Sequence, residues 1–165
     1  MNRHSNRPIQ KVVLDTSVII NYANVNRLHL LLRVIDEIVF VPDVTQEVTR
    51  DHQRIALDSM MLESQCLFVD DDALSTEAIT LASRTGLGRG ECFAYHHARE
   101  NNCYLASDDR RAIRIFALIG ENVPIITSVD ILKLLLLEDV VHDVEAEEIV
   151  ADWSSTYRFR VSWPS

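Results

Sequence analysis

The chain has 165 residues, 47% of them hydrophobic, and a formal net charge of −9. That length and apolar content make one globular domain with a substantial core, and no apolar run approaches the roughly 18 residues of a membrane span. The acidic balance argues against a general nucleic-acid-binding surface, which carries a basic excess; yet Leu136 to Asp152 holds seven acids and no Lys or Arg, and outside it 18 acids face 16 bases.

In chain order, M-N-R-H-S-N-R-P is polar and basic, and no apolar signal-peptide core follows it. Residues 1–10 read as a frayed tail on a single domain, 11–165, of a cytoplasmic protein. Val12–Leu14 is β-branched and without alternation, a short strand buried on both faces, and a helix is expected from Ser17. L-H-L-L-L-R-V-I reads as a second helix. Val39–Val41 is a strand candidate ending at Pro42-Asp43, and Asp43 with Gln46 has the form of a capping box, so a helix should begin near Val44 with Glu47 in its first turns. Leu67–Val69 is a third short strand. An Ala-rich segment, Thr76–Ser83, precedes G-L-G-R-G and a helix over Glu91–Glu100. Cys103–Ala106 is apolar and ends at S-D-D; Arg110–Ile119 is helical and stops at Gly120. Val123–Thr127 is the last core strand, with Ser128 or Asp130 capping a helix through Leu137. The acidic run after it has the pattern of a solvated helix, and the alternating Y-R-F-R-V-S-W that of an edge strand. Cys66, Cys92 and Cys103 form no C-x-x-C pair and are expected to be reduced.

Strands alternating with helices indicate an α/β fold with a mostly parallel sheet, and ligands of such sheets collect beyond the carboxyl ends of the strands. Acids sit there in order: Asp15 after V-V-L, and Asp108-Asp109 after Y-L-A-S. Glu47 and Glu91 sit at expected helix starts. Taken singly, Asp15 reads equally as an N-cap, Glu47 and Glu91 as acids favoured by a helix dipole, and Asp108-Asp109 as a turn. Together they make an all-oxygen cluster that needs positive compensation, which Mg²⁺ or Mn²⁺ supplies. Gly86, Gly88 and Gly90 lack the Lys-Ser/Thr of a phosphate loop and read as an approach to the Glu91 helix. His96 and His97 are adjacent, so on a helix they point about 100° apart.

D-T-S-V-I-I-N, V-P-x-V-x-x-E-V, G-R-G-E-C-F-A-Y-x-x-A-R-E and Y-L-A-S-D-D-R-R-A, in that order, resemble the PIN domain, a family of Mg²⁺- or Mn²⁺-dependent ribonucleases that includes VapC-like toxins of toxin–antitoxin pairs. The closest likeness is to a branch with a G-x-G-E-x-x-A helix and a DD-x-x-A-R turn, and it runs from about Lys11 to the terminal R-F-R-V. The resemblance implies a three-layer α/β/α fold and metal-assisted hydrolysis of RNA phosphodiester bonds. Carried over by position, Asp15, Glu91 and one or both of Asp108 and Asp109 would hold metal, and Glu47 would complete the acidic site, holding a second metal or orienting the water. Thr16, Ser17 and Ser107 would be its hydroxyl neighbours, with Arg89 and Arg110 nearby for the RNA backbone. Alignment of Ser107 with a T-x-D pattern favours Asp109, whereas the strand-end position favours Asp108. The third block is bulkier than the E-A-x-A-I common in relatives. The likeness also implies a homodimer and an antitoxin partner. The rival from another class is a PIN-like binding module without activity, against which the acids at all four positions count.

Overall fold

The structure, a computed structural model, describes residues 7–69 and 76–163. Five strands form one sheet: β1 (Ile9–Leu14), β2 (Ile35–Phe40), β3 (Cys66–Phe68), β4 (Tyr104–Ala106) and β5 (Ile125–Ile126). Their order is β3-β2-β1-β4-β5 and every pairing is parallel, with Val13 facing Val39 on one side and Leu105 on the other. A central parallel strand is covered on both faces, which is why Val12, Val13 and Leu14 form an unbroken apolar run with no solvent exposure.

This order fixes where a ligand can sit. From β1 the chain builds outward through β2 and β3, then crosses back to add β4 and β5 on the opposite edge. The switch falls between β1 and β4, and in sheets of this kind ligands bind beyond the carboxyl ends of the strands at the switch. The backbone N–H of Asp15 donates to the Ala106 carbonyl at 2.9 Å, and that of Ser107 to the Ile126 carbonyl at 3.0 Å. The residues just past both strands are therefore held in sheet-like register at the switch.

Helices cover both faces. The described helices are α1 (Thr16–Asn24), a 3-10 turn (Leu28–Leu30), α2 (Leu31–Val34), α3 (Pro42–Glu47), α4 (Asp51–Met61), α5 (Thr76–Thr85), α6 (Arg89–Glu100), α7 (Arg110–Ile119), α8 (Ser128–Leu137) and α9 (Asp143–Ser155). In one layer α1 packs on α4 and α8, and α8 on α9; in the other α6 packs on β1, β4, α3 and α5. The result is the three-layer α/β/α arrangement. Val18, Ile19, Tyr22 and Ala23 of α1 recur at helical spacing and are buried. Trp153 of α9, fully buried, donates its indole N–H to the Asn21 carbonyl at 2.9 Å and meets the Tyr22 ring edge-on at 5.4 Å.

Several expectations are corrected. L-H-L-L-L-R-V-I is not one helix: its last residue, Ile35, opens β2, whose Ile35, Ile38 and Val39 pair with β1. The Asp43 capping box does not form; Pro42 takes the first helical position after Val41, where its missing N–H costs nothing. Glu47 consequently ends α3 rather than beginning it. The acidic run is not simply a solvated face, because α9 buries Ala146, Ile149 and Trp153 against the core. The alternating tail is no strand: residues 157–163 are irregular, the N–H of Phe159 bonding the Trp153 carbonyl at 2.7 Å with the two rings edge-to-face at 5.4 Å. All three cysteines are free thiols and buried. No described helix is long and apolar enough to cross a membrane.

Candidate active site

Asp15 directly follows β1 and is only 2% exposed. Its Oδ2 accepts the Ser17 hydroxyl at 2.6 Å, the Ser107 hydroxyl at 3.0 Å and, weakly, the Ser17 N–H at 3.4 Å. Its Oδ1 is buried and has no hydrogen-bond partner among the described residues. An N-cap needs one acceptor oxygen, so capping explains half of this carboxylate. Burial raises its pKa despite the hydroxyl donors.

The two serines join the strand ends. Ser17 Oγ, while donating to Asp15, accepts the Asp108 N–H at 2.9 Å; Ser107 Oγ likewise accepts the Asp109 N–H at 3.3 Å. The adjacent aspartates then diverge. Asp108 faces inward: its Oδ1 accepts the Ser128 N–H at 2.8 Å, and its Oδ2 accepts Asn21 Nδ2 at 2.8 Å and the Ser128 hydroxyl. Both oxygens are used in tying α1 to the start of α8, and burial raises this carboxyl's pKa too. Asp109 caps α7, Oδ1 accepting the Ala112 N–H at 2.8 Å, which leaves its second oxygen outside that bond.

Glu91 lies in the first turn of α6, where its Oε2 accepts the Gly88 N–H at 2.9 Å. Burial pushes its pKa up to about 7; the Gly88 N–H opposes the rise, while the charges of Asp15, Asp109 and Glu47 add to it. These four carboxylates thus share one electrostatic site. Thr16 Oγ1 donates to Glu47 Oε2 at 2.6 Å, so the Thr16 hydroxyl serves Glu47, whereas those of Ser17 and Ser107 serve Asp15. Gly90 permits the approach of α6 to α3, because a Cβ there would stand 3.1 Å from Glu47 Oε1 and 3.2 Å from Val44 Cγ2.

Of the arginines expected near the site, Arg89 pairs with Asp43 at 3.3 Å and lies over the Phe93 ring at 5.7 Å. Arg110, at the first position of α7, is exposed. Sequence reading missed Asn21 and Ser128, the partners of Asp108. Asn21 had left a signal, being a polar residue inside the apolar run V-I-I-N-Y-A.

Among the described residues no three His, Cys, Asp or Glu side chains converge into a ready-made metal-binding group. The donor set nonetheless fits a hard divalent cation. It is all oxygen, it carries uncompensated negative charge, and it includes a buried carboxylate oxygen with no donor to satisfy it. A cation there would meet Asp15 Oδ1, with Glu91 and Asp109 as the other carboxylates of the shared site.

No curated protein matches the chain in sequence. A family model described as the PIN domain matches residues 11–163, nearly the whole chain. With the parallel five-stranded sheet and the carboxylates at its switch point, that match is decisive: this chain belongs to the PIN-domain family.

Proposed function

We propose that the protein is a metal-dependent endoribonuclease using the site of Asp15, Glu47, Glu91 and Asp109. PIN domains are generally nucleases that use divalent metal ions. The observation that carries the reading for this chain is the orphaned Oδ1 of Asp15, buried at the sheet's switch point beside an acid, Glu91, that feels three other carboxylates. A buried acceptor without a donor costs about 1–3 kcal/mol, and retention of that cost at the switch point is intelligible when a cation offsets it.

Mg²⁺ or Mn²⁺ at such a site supplies Lewis-acid polarisation of a phosphoryl oxygen and lowers the pKa of water. The chain's residues do the rest. Asp15, held by Ser17 and Ser107, presents one oxygen in a fixed direction. Glu91, whose rise to about 7 belongs to the site in the absence of the ion, would be kept ionised by the cation and would help to hold it beside the attacking water. Glu47, oriented by Thr16, would position that water or hold a second ion. Asp108 keeps the strand ends and α8 in register, and Asp109 is the fourth acid of the site.

The test is cleavage of an end-labelled single-stranded RNA in Mn²⁺, wild type beside Asp15→Asn. Cleavage abolished by the substitution and by chelator supports the reading; absence of cleavage by folded, Mn²⁺-binding wild type favours an inactive binding module. As a toxin the protein would need a neutralising antitoxin partner, and co-expression with the product of a neighbouring gene is the assay for that role. A monomer by light scattering at low concentration removes the homodimer that the resemblance implies.

A further inference from the structure

Beside Glu47 lies a polar cavity of about 410 Å³, within the size range of small-ligand sites. Its walls come from three elements remote in sequence: Asn21 and Asn24 on α1, Arg50 and Gln53 at the start of α4, and Tyr157 and Arg158 of the irregular tail. The tail is fastened there, since the Tyr157 hydroxyl donates to the Asn24 carbonyl at 2.8 Å. The amide floor is ordered as well: Gln53, 2% exposed, donates to Asn24 Oδ1 at 2.7 Å.

Two features make this cavity more than a surface dent. In a strongly acidic chain it gathers two exposed arginines, Arg50 and Arg158, neither of which forms an ion pair among the described residues. In addition, Arg158 has a φ of +57°. The other described residues with positive φ are Asn, Asp or Gly, types that tolerate it; Arg158 is the exception. Such a backbone persists where its surroundings hold it, here the turn that brings the Phe159 N–H to the Trp153 carbonyl, and it fixes the direction in which the Arg158 side chain leaves the chain. Glu47 lines the cavity and also borders Gly90 of the Glu91 helix, so the cavity adjoins the carboxylate site.

We propose that this cavity is a nucleotide subsite for single-stranded RNA. Arg50 and Arg158 hold the phosphate that neighbours the scissile one, and the side-chain amide of Asn24, ordered by the buried Gln53, hydrogen-bonds the unpaired base. The proposal rests on the nuclease reading for what the subsite serves, but its test is a binding measurement that needs no cleavage. Arginine forks match phosphate oxygens bidentately, and the Asn24 amide nitrogen, which lies outside the bond to Gln53, can pair with a base edge. The subsite also reconciles an acidic protein with a polyanionic substrate, because it places two cations beside the carboxylates without making the whole surface basic.

The experiment is fluorescence anisotropy of a labelled single-stranded oligoribonucleotide in chelator, across a salt series. It compares wild type, Arg50→Ala/Arg158→Ala, Arg158→Gly, and a control, Arg33→Ala/Lys133→Ala, that removes two exposed charges elsewhere. The subsite pair is expected to weaken binding at least tenfold and to flatten the slope of log K against log salt by about 1.4, the value for two lost contacts to a single strand. The control pair is expected to change affinity less than twofold. Arg158→Gly relieves the backbone strain, so it should weaken binding while its Tm stays at or above that of wild type, which a structural role for Arg158 would not allow. Equal effects of the two pairs, no effect of the subsite pair, or no RNA binding by wild type each overturn the subsite. Binding by wild type through these arginines without cleavage in Mn²⁺ leaves the subsite standing and removes the nuclease; cleavage by a wild type whose binding ignores them does the reverse.

Discussion

Thr16 and Glu47 stand 31 residues apart, yet the Thr16 hydroxyl donates to the Glu47 carboxylate at 2.6 Å, joining the first residue of α1 to the last of α3. Glu47 has no helix-dipole support at that end, since a carboxylate at a helix C-terminus is disfavoured. The hydroxyl is what orients it. Thr16→Val keeps the shape and removes the donor. The expected result is a stability loss of about 1–2 kcal/mol and a fall in kcat at little change in KM, read by urea unfolding and steady-state cleavage.

The Asp15 carboxylate is buried with one oxygen unsatisfied, and burial has raised its pKa. In chelator, Asp15→Asn removes a desolvated charge and retains an acceptor for Ser17 and Ser107. The variant should therefore melt higher than wild type by roughly 2–4 °C, the shift that about 1 kcal/mol produces in a chain of this size. In Mn²⁺ the order should reverse, because only the wild type gains stability from the ion. Differential scanning fluorimetry with and without Mn²⁺ checks both. A variant that melts lower in chelator would mean that Asp15 is chiefly a structural cap.

Glu91 makes stability depend on pH in a direction opposite to that of a salt-bridged acid. Its folded pKa, about 7, lies above the ordinary 4.5. The folded state therefore binds the proton more tightly than the unfolded chain, and stability declines as pH rises from about 4.5 through 7. Asp15 and Asp108, also raised, act with the same sign. Solvent screening of the partly exposed Glu91 limits its own share to about 1 kcal/mol. Chemical unfolding in chelator at pH 5.5 and pH 8 should give the higher stability at pH 5.5, and Mn²⁺ should narrow the gap by binding the ionised form. Glu91→Gln should flatten the profile.

The sheet, its parallel direction and the order of the acids were legible because they rest on local patterns: an unbroken apolar run ending in Asp15, and S-D-D after Y-L-A. What stayed hidden depended on distance in sequence. Ile35 looked helical because its leucine-rich approach is apolar; only pairing with β1 makes it strand. The capping box at Asp43 lost to Pro42, whose fixed φ starts the helix earlier. The tail alternates as a strand should, but Trp153 and Asn24 capture Phe159 and Tyr157 first. The different settings of Asp108 and Asp109 were likewise beyond sequence, because Asp108 draws its partners Asn21 and Ser128 from 87 and 20 residues away.

Those partners separate the two aspartates experimentally. Asp108 accepts three donors on two oxygens, so Asp108→Asn replaces one acceptor with an amide donor facing Asn21 and Ser128. Loss of charge-assisted bonds in a part-buried network should cost about 3 kcal/mol, visible as a large fall in Tm. Asp109→Asn retains a good N-cap for α7, so its stability should stay within about 0.5 kcal/mol of wild type. If Asp109 is the acid that joins Asp15 and Glu91 at the cation, that stable variant should bind Mn²⁺ at least about tenfold more weakly and lose cleavage in proportion. Calorimetric Mn²⁺ titration of both variants decides it. Unchanged Mn²⁺ affinity in Asp109→Asn, with affinity lost in a still-folded Asp108→Asn, would transfer the role to Asp108 and make Asp109 only a helix cap.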